Sequence, residues 1–333
     1  MRSVMLKLLY VTAYHMGVFR IFFHVQRKRQ TVVTYHNVIS DDLFDDELLH
    51  LGVSCRESSF VRQLDIIKSE FTVVTEVGVP GSCIISFDDG YNNNIEIAAR
   101  LLSDRKIRGL FFVPASYFEG RSILWVDELL MWVSYVPTGK YAILGVQFTL
   151  DHSIEGRRAL WAHMYKMLLS SYEVLDSLRG ELNRQYSFED LKAVIDKRMY
   201  QYRFEGMNPS ELEAIKRMGH SLGCHSFKHD ILSLLSDDRL EEDFRKCEAY
   251  SSRYNTRYYS YPFGGENEVS STVISACRKY QYAAAFLNYV PDHEEGELAI
   301  GRISLDDLND KYFIEARLCG FERFVKKILG MNV

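Results

Sequence analysis

Short apolar runs alternate with amphipathic stretches over most of the chain, which is the pattern of strands alternating with helices. The strand-like runs are 32–35, 71–75, 84–87, 109–114, 221–224, 258–261 and 282–286. The helix-like stretches between them are 60–69, 95–105, 209–218, 238–254 and 269–280. Because strands that alternate with helices form parallel sheets, we predict an α/β fold whose parallel sheet is closed, or nearly closed, into a barrel.

The alternation stops between residues 121 and 208, where a helical stretch, an exposed strand pattern and a long charged helical region follow one another. We predict a mostly helical insertion lobe at 121–208 that divides the barrel into a first part, 31–120, and a second part, 209–309. An amphipathic N-terminal helix, 1–30, and a C-terminal helix, 310–333, complete the chain.

Residues 1–30 are apolar enough to suggest a signal peptide, but Lys7, Arg20 and two histidines interrupt them and no small-residue cleavage site follows. Two interpretations stay open. The helix packs on the protein body, or it lies on an anionic inner membrane surface, with Arg27-Lys28-Arg29 supplying positive charge. We expect a cytoplasmic protein, with contact to the inner face of the membrane as the second of these alternatives.

The composition adds few constraints. With 333 residues, 47% of them apolar and 26% charged, the chain can bury a large core. The net charge of −5 and the interspersed signs argue against a nucleic-acid partner. Six cysteines without a CxxC pair predict buried thiols in a reducing compartment.

Two short sequences carry candidate chemistry. In SFDDGY, Asp88 and Asp89 follow a buried strand, where α/β folds place their functional groups. In GCHSFKHD, His225 and His229 are four residues apart and share a face if the backbone turns helically. One carboxylate and two imidazoles can bind a divalent ion with an open coordination position, while the second carboxylate acts as a general base. Taken alone, the aspartates are equally typical of a helix cap, but the joint pattern favours a metal site.

Ser86-Phe87-Asp88-Asp89-Gly90 resembles the TFDDG motif, and His225-Ser226-Phe227-Lys228-His229 the H-[ST]-x-x-H motif, of the polysaccharide deacetylase superfamily, or carbohydrate esterase family four. The resemblance extends over about 31–304 and implies a distorted (β/α) barrel. It implies Asp88 as the base and Asp89, His225 and His229 as ligands of a divalent metal ion. Zn²⁺ is the first candidate, with Co²⁺, Ni²⁺ or Mn²⁺ as alternatives.

Two departures from the family pattern require substitutes. The third motif, Ser260-Tyr261-Pro262-Phe263-Gly264, lacks the family's arginine two residues before the proline. By the resemblance, the backbone N–H of Phe263 helps to bind the oxyanion, and we expect Arg302 to orient the base instead. The family's late L-x-H motif is also absent, since His293 lies in an acidic loop. In the exopolysaccharide N-deacetylases with permuted motif order, the acid histidine follows a tyrosine on the first strand, and Tyr35-His36 matches that branch, so we predict His36 as the general acid.

Trp125-Val126-Asp127-Glu128 resembles a stretch found in enzymes of surface-polysaccharide biosynthesis. Asp127 either reaches the site or caps a helix in solvent, and we expect the cap. We expect Cys224 to point away from the site, on the opposite face of its strand from His225.

The sequence therefore predicts a metal-dependent N-deacetylase that hydrolyses the N-acetyl, or a related N-acyl, group of an amino sugar during biosynthesis of O-antigen, capsule or exopolysaccharide. The expected substrate is a nucleotide-linked, lipid-linked or oligosaccharide precursor inside the cell. Two alternatives remain: a hydrolase of small non-peptide C–N bonds, and a metal-binding member of a biosynthetic complex that has lost turnover.

Overall fold

The computed structural model describes residues 2–46, 48–120, 122–292 and 296–331, so His293 lies outside the described residues. The strands are β1 Thr31–Tyr35, β2 Asn37–Ile39, β3 Ser54–Arg56, β4 Thr72–Val73, β5 Ser82–Phe87, β6 Leu110–Val113, β7 Gly139–Ile143, β8 Val146–Leu150, β9 Ser221–Cys224, β10 Tyr258–Ser260, β11 Ala284–Phe286 and β12 Ile303–Ser304.

The helices of the described residues are α1 Arg2–His15, α2 Val18–Gln26, α3 Glu57–Glu70, α4 Arg100–Asp104, α5 Trp125–Tyr135, α6 Ile154–Ser170, α7 Val174–Gln185, α8 Phe188–Val194, α9 Lys197–Arg203, α10 Pro209–Arg217, α11 Asp237–Tyr254, α12 Ser271–Lys279, α13 Lys311–Leu318 and α14 Phe321–Ile328. A π-helical turn, Asn94–Ala99, precedes α4, and short 3₁₀ turns occupy Ala115–Phe118 and Leu232–Leu234.

An eight-stranded parallel sheet forms the centre of the molecule, in the order β11-β10-β9-β6-β5-β1-β12, with β4 paired to the start of β5. The two ends of this order approach each other in one segment. Ile300 bridges Phe286 of β11, and β12, three residues later, pairs with β1. The sheet therefore curls into a distorted (β/α) barrel, which confirms the predicted fold class.

The register of the parallel strands sets the level at which each chain leaves the sheet. Tyr35 of β1 pairs with Phe87 of β5, and Cys224 of β9 pairs with both Val113 and Tyr259. Because all these strands point the same way, the residues that follow them emerge at one edge. His36, Asp88 and His225 are such residues.

Residues 122–208 add a second cluster of buried side chains around Trp132, Leu160, Met164 and Leu178, contributed by α5 to α9 and the β7–β8 hairpin. Leu49 and Ile231, from the barrel part of the chain, belong to the same cluster. The insertion therefore packs directly on the barrel, and its exact boundaries stay a prediction.

The predicted terminal helices are each two helices. Gly17 (φ 77°) separates α1 from α2, and Gly320 (φ 83°) separates α13 from α14. The left-handed conformation ends a helix and is accessible to glycine without a Cβ penalty. No single helix within the described ranges is long and apolar enough to cross a bilayer; Val4–His15 and Val18–Gln26 meet that criterion only together, with a bend of 80° between them.

Candidate active site

The acidic pair stands in a tight turn directly after β5. The backbone N–H of Asp88 donates to the Tyr35 carbonyl (2.9 Å), which continues the pairing with β1 by one residue. Asp89 and Gly90 then adopt φ values of 68° and 62°. A Cβ on Gly90 would lie 2.8 Å from Val113, so both the turn and the close approach to β6 require glycine. This turn directs both carboxylates into the barrel, where they are buried.

Asp89, His225 and His229 converge on one point. Asp89 Oδ1 lies 3.2 Å from His225 Nε2 and 3.1 Å from His229 Nε2, and all three side chains are buried. Ligands of one tetrahedral ion with bonds of about 2.0–2.2 Å would be separated by about 3.3–3.5 Å. One carboxylate and two imidazoles at these separations fit a divalent metal ion.

A hydrogen bond to the backbone selects the tautomer of His225. Its Nδ1 lies 2.7 Å from the carbonyl oxygen of Ser260, which can only accept, so Nδ1 carries the proton. The lone pair of Nε2 therefore faces Asp89, as a metal ligand requires. Burial alone would raise the pKa of Asp89, but the adjacent imidazoles of His229 and His225 hold it well below its usual value. The ligand carboxyl is therefore anionic.

Asp88 makes a two-pronged ion pair with Arg302. The guanidinium Nη1 is 2.7 Å from Asp88 Oδ1, Nη2 is 2.5 Å from Oδ2, and both side chains are almost inaccessible to solvent. The Nε of Arg302 also donates to the Leu287 carbonyl (2.7 Å), which fixes the fork. Burial would raise the pKa of Asp88, but Arg302 and then His225 outweigh it, so the pKa is lowered. Asp88 is thus an oriented, ionised carboxylate beside the metal-ligand cluster.

Ser260 occupies the position at which the family motif has its arginine. Its hydroxyl donates to Asp88 Oδ2 (3.0 Å) and accepts from Arg302 Nη2 (2.9 Å). Because the serine side chain is small, the guanidinium of Arg302 fits beside Asp88 in place of the family's arginine. The chain thus keeps an arginine against Asp88 but supplies it from residue 302, directly before β12.

His36 lies half-buried at the end of β1. Its carbonyl accepts from Asn94 Nδ2 (2.7 Å), so the polar run after the acidic turn anchors the histidine backbone. Burial lowers the pKa of His36 even though both aspartates act to raise it. The imidazole is therefore neutral near pH 7 in the metal-free structure.

The second and third motifs share an unusual backbone conformation. Ser226, His229 and Phe263 have φ values of 57°, 62° and 60°, a region that costs a residue with a Cβ about 1 kcal/mol or more. The Ser226 hydroxyl accepts from the His229 N–H (2.8 Å), and the buried Asp243 carboxyl accepts from the Phe227 N–H at 3.1 and 3.3 Å. Strained backbone that is held by buried side chains is typical of functional sites.

Aromatic side chains of the insertion, Trp125, Tyr165 and Tyr172, form what we term the aromatic wall. Trp125 donates from Nε1 to the His229 carbonyl (2.9 Å). Its ring lies 5.8 Å from those of Phe263 and Tyr172, and the Tyr165 ring lies 5.7 Å from Phe263. The insertion therefore directly contacts residues 225–229, which we term the metal-ligand loop after its two proposed ligands.

The expectation that Asp127 caps a helix in solvent is wrong. Its side chain is 3% exposed, and its Oδ1 accepts from the Tyr91 hydroxyl (3.0 Å), two residues beyond Asp89. Burial first, and the charge of Asp89 second, raise its pKa well above the usual range. The Asp127 carboxyl is therefore protonated and neutral, whereas the nearby Asp89 carboxyl is anionic.

The structure thus gathers Asp88, Asp89, His225, His229 and Arg302 into one cluster, with His36 and Phe263 beside it. Cys224 lies apart from this cluster, close to Cys247 of α11. The hydrogen bonds of Ser260 to Asp88, of Asp243 to Phe227 and of Trp125 to His229 were not predicted from the sequence. Only Ser260 had a signal, because it fills the missing arginine's position; the others depend on contacts between distant segments.

Comparison with known proteins agrees with this geometry. A family model described as polysaccharide deacetylase matches residues 184–285, which include His225 and His229. Among curated proteins, none matches the sequence significantly.

Two solved structures share the fold. IcaB from Ammonifex degensii has a TM-score of 0.51 at 16% identity, covering 88% of this chain and 97% of its own. BA0330 from Bacillus anthracis, a protein assigned to the polysaccharide deacetylases, has a TM-score of 0.51 at 12% identity, covering 87% of this chain and 69% of its own. In its motifs, its matched residues and its barrel, the chain resembles the polysaccharide deacetylase superfamily.

Proposed function

We propose that this protein is a metal-dependent N-deacetylase that hydrolyses the N-acetyl, or a related N-acyl, group of an amino sugar in surface-polysaccharide biosynthesis. The observation that carries the proposal is the pair Asp88–Arg302, which lies beside the convergent Asp89, His225 and His229. A buried carboxylate kept ionised by a fixed cation is suited to accept a proton, and the neighbouring ligands are suited to hold a divalent ion.

Asp89, His225 and His229 would hold the ion, for which zinc is the first candidate and cobalt, nickel or manganese are alternatives. When bound, the ion supplies Lewis acidity, which polarises the acyl oxygen and lowers the pKa of the attacking water. Asp88 accepts the proton of that water, and Arg302 keeps the carboxylate ionised and aimed. The backbone N–H of Phe263 donates to the developing oxyanion.

We propose His36 as the acid that protonates the departing amine. Since burial lowers its pKa, the imidazole must gain a proton within the substrate complex before it can donate one. His36 thus has a different role from His225 and His229, which are proposed to bind the metal and whose Nε2 atoms both face Asp89.

For the substrate we propose an amino-sugar precursor that is nucleotide-linked, lipid-linked or part of an oligosaccharide. The half-buried rings of Tyr165 and Phe263 support a sugar, because aromatic rings beside a site can stack on the apolar face of a pyranose. For the location we propose the cytoplasm, next to the inner membrane surface. All six cysteines are buried and free, which supports a reducing compartment.

The test combines metal analysis with acetate release. Zinc-loaded protein is incubated with N-acetylglucosamine oligosaccharides and with nucleotide-linked N-acetylhexosamines. Asp88→Asn should keep about one ion per chain and lose turnover by a factor of roughly 10²–10⁴. Asp89→Ala and His229→Ala should lose both the metal and activity, whereas His36→Ala should lose only activity.

Asp65→Asn, an exposed acid on α3, is the control and should behave as the wild type. Full activity of Asp88→Asn would remove the base from the proposal. Hydrolysis of small heterocyclic amides without acetate release from any sugar would favour the alternative hydrolase. A protein that binds no metal and shows no turnover would be the inactive member of a complex; the intact Asp88–Arg302 pair argues against that outcome.

A further inference from the structure

Exposed apolar side chains are concentrated at the two ends of the chain. Of the 17 large apolar residues exposed in the described ranges, ten lie on α1, α2, α14 and their ends. They are Val4, Met5, Leu8, Leu9, Met16, Ile21, Val25, Phe324, Ile328 and Leu329. We term this set the docking face; patches of this kind on a protein surface usually mark an interaction site.

The opposite sides of the same helices are built into the barrel core. Tyr10 of α1 is 1% exposed, Phe19 of α2 is 2% exposed, and Phe321 of α14 is 6% exposed. The Phe321 ring lies 5.9 Å from Tyr10 and 5.2 Å from Phe19. The three helices therefore form one packed unit and present the docking face outward from it.

A direct contact joins the N-terminal and C-terminal parts of the docking face. The ring of Phe22, next to the exposed Ile21, lies 5.4 Å from the ring of Phe324. Ile328 is one turn beyond Phe324 on α14. The C-terminal helix thus extends the apolar surface of α2 rather than forming a separate patch.

Cations border this face, and four of them are paired with acids: Lys7 with Asp310, Arg27 with Glu70, Lys326 with Glu322 and Lys327 with Asp292. The first thirty residues hold six lysines and arginines and no acidic residue, so the remainder of the chain carries a net charge of −11. Exposed Arg20 and Lys28, for which the described residues show no ion pair, flank the apolar side chains of α2 and supply the positive charge of this face. Apolar side chains bordered by cations suit the interface of an anionic bilayer.

A second copy of the chain fits this face less well. In a two-fold contact the same surface meets itself, so the cations would face cations. A spanning arrangement also does not fit, because the α1–α2 pair is bent by 80° and its buried side chains belong to the core. Helices in this arrangement can lie in the plane of a membrane surface.

We propose that α1, α2 and α14 together form a docking surface for anionic phospholipid bilayers, in which the C-terminal helix takes part as fully as residues 1–30. The proposal is independent of the reaction assigned to the barrel. It predicts that exposed apolar residues from both ends of the chain contribute to membrane affinity, and that salt weakens binding.

The test is co-sedimentation of the full chain with vesicles of phosphatidylcholine alone and of phosphatidylcholine mixed with phosphatidylglycerol. The protein should bind the mixed vesicles and not the neutral ones. Val25→Gln on α2 and Ile328→Gln on α14 should each weaken binding by roughly tenfold, since each removes a large apolar side chain from the interface. Val194→Gln, which is 64% exposed on α8, is the matched control and should leave binding unchanged.

Loss of binding in Val25→Gln but not in Ile328→Gln would overturn the participation of α14. No binding to the mixed vesicles, or binding that neither substitution weakens, would overturn the docking surface altogether. Concentration-dependent dimers that both substitutions dissolve, in protein that ignores vesicles, would assign the face to a second copy and likewise overturn the proposal.

Discussion

Two buried regions meet at His229: the cluster of polar side chains at the strand ends, and the insertion with its aromatic wall. The two regions hold their buried polar groups differently. At the strand ends the buried charges are paired: Asp88 with Arg302, and Asp89 with two imidazoles. In the insertion, the buried acid Asp127 accepts from the Tyr91 hydroxyl, and burial raises its pKa although the buried Arg203 acts to lower it, so it is neutral. The buried charges of the barrel are thus in contact with one another, whereas in the insertion Asp127 is hydrogen-bonded to a hydroxyl and the buried Arg203 to the Leu49 carbonyl.

This difference has an energetic reason. A buried charge is tolerated only with a partner in good geometry, and parallel strand ends can place such partners at fixed separations. The insertion contacts the site through side chains of α5, of α6 and of the segment that follows α6. We infer that the strand-end cluster carries the chemistry and that the wall adjusts it.

The largest expected effect comes from removing Arg302, the cation that pairs with Asp88. Arg302→Met leaves the Asp88 carboxyl buried without its cationic partner, which should lower the free energy of unfolding by about 3–5 kcal/mol. Urea denaturation of the metal-free proteins measures this loss. Turnover should fall at least as far as in Asp88→Asn, because the remaining base is neither oriented nor held ionised.

Arg100→Met breaks a solvent-exposed ion pair with Glu57 (3.7 Å) and is the control, with an expected change within about 1 kcal/mol. Arg302→Lys should lie between the two, since lysine keeps the charge but not the fork. If Arg302→Met unfolded at the same urea concentration as the wild type, the pairing of charges at the strand ends would not be what stabilises them.

A smaller, pH-dependent effect is expected behind the metal-ligand loop. Burial raises the pKa of Asp243 to about 7, and the Phe227 N–H only partly opposes this. Asp230, Cys247 and Lys246 are the other titratable or charged groups that act on it. Folded protein therefore keeps a proton that the unfolded chain releases near pH 4, so this group's contribution to stability falls as pH rises from about 4 to 7.

Asp243→Asn removes that dependence. Relative to the wild type, the variant should gain stability between pH 5 and pH 8, by at most about 1.4 kcal/mol for each pH unit below 7. Unfolding free energies at the two pH values measure the difference, with Asp238→Asn, exposed on the same helix, as the control. A difference that stays constant between the two pH values would mean that Asp243 is already ionised in the fold and belongs with the paired charges.

The contrast between the strand ends and the insertion also explains which features could be predicted from the sequence. The residues of the strand ends stand in short motifs after recognisable apolar strands, so the turn at Asp88-Asp89, the histidine pair and the barrel were all predictable. Arg302 was expected as a substitute only because the third motif lacked an arginine. Burial of Asp127 was missed, since an acidic residue in a first helical turn is typical of solvent, and nothing local indicates that Tyr91 lies opposite. The breaks at Gly17 and Gly320 were missed because helical periodicity continues across them.

The smallest expected effect tests whether the aromatic wall positions the metal-ligand loop. Trp125→Phe keeps a ring but removes the donor to the His229 carbonyl, a hydrogen bond worth about 1 kcal/mol. Trp132→Phe is a matched control, because Trp132 Nε1 donates to the Leu182 and Tyr186 carbonyls (3.1 Å each) inside the insertion. Both variants should lose similar unfolding free energy, but only Trp125→Phe should also bind zinc more weakly, by roughly threefold to tenfold, since misplacing a ligand residue by small shifts lowers metal affinity. Competition with a zinc chelator measures this difference.

Equal zinc affinity in the two variants would show that the insertion packs against the metal-ligand loop without positioning it, and the aromatic wall would then act on substrate alone.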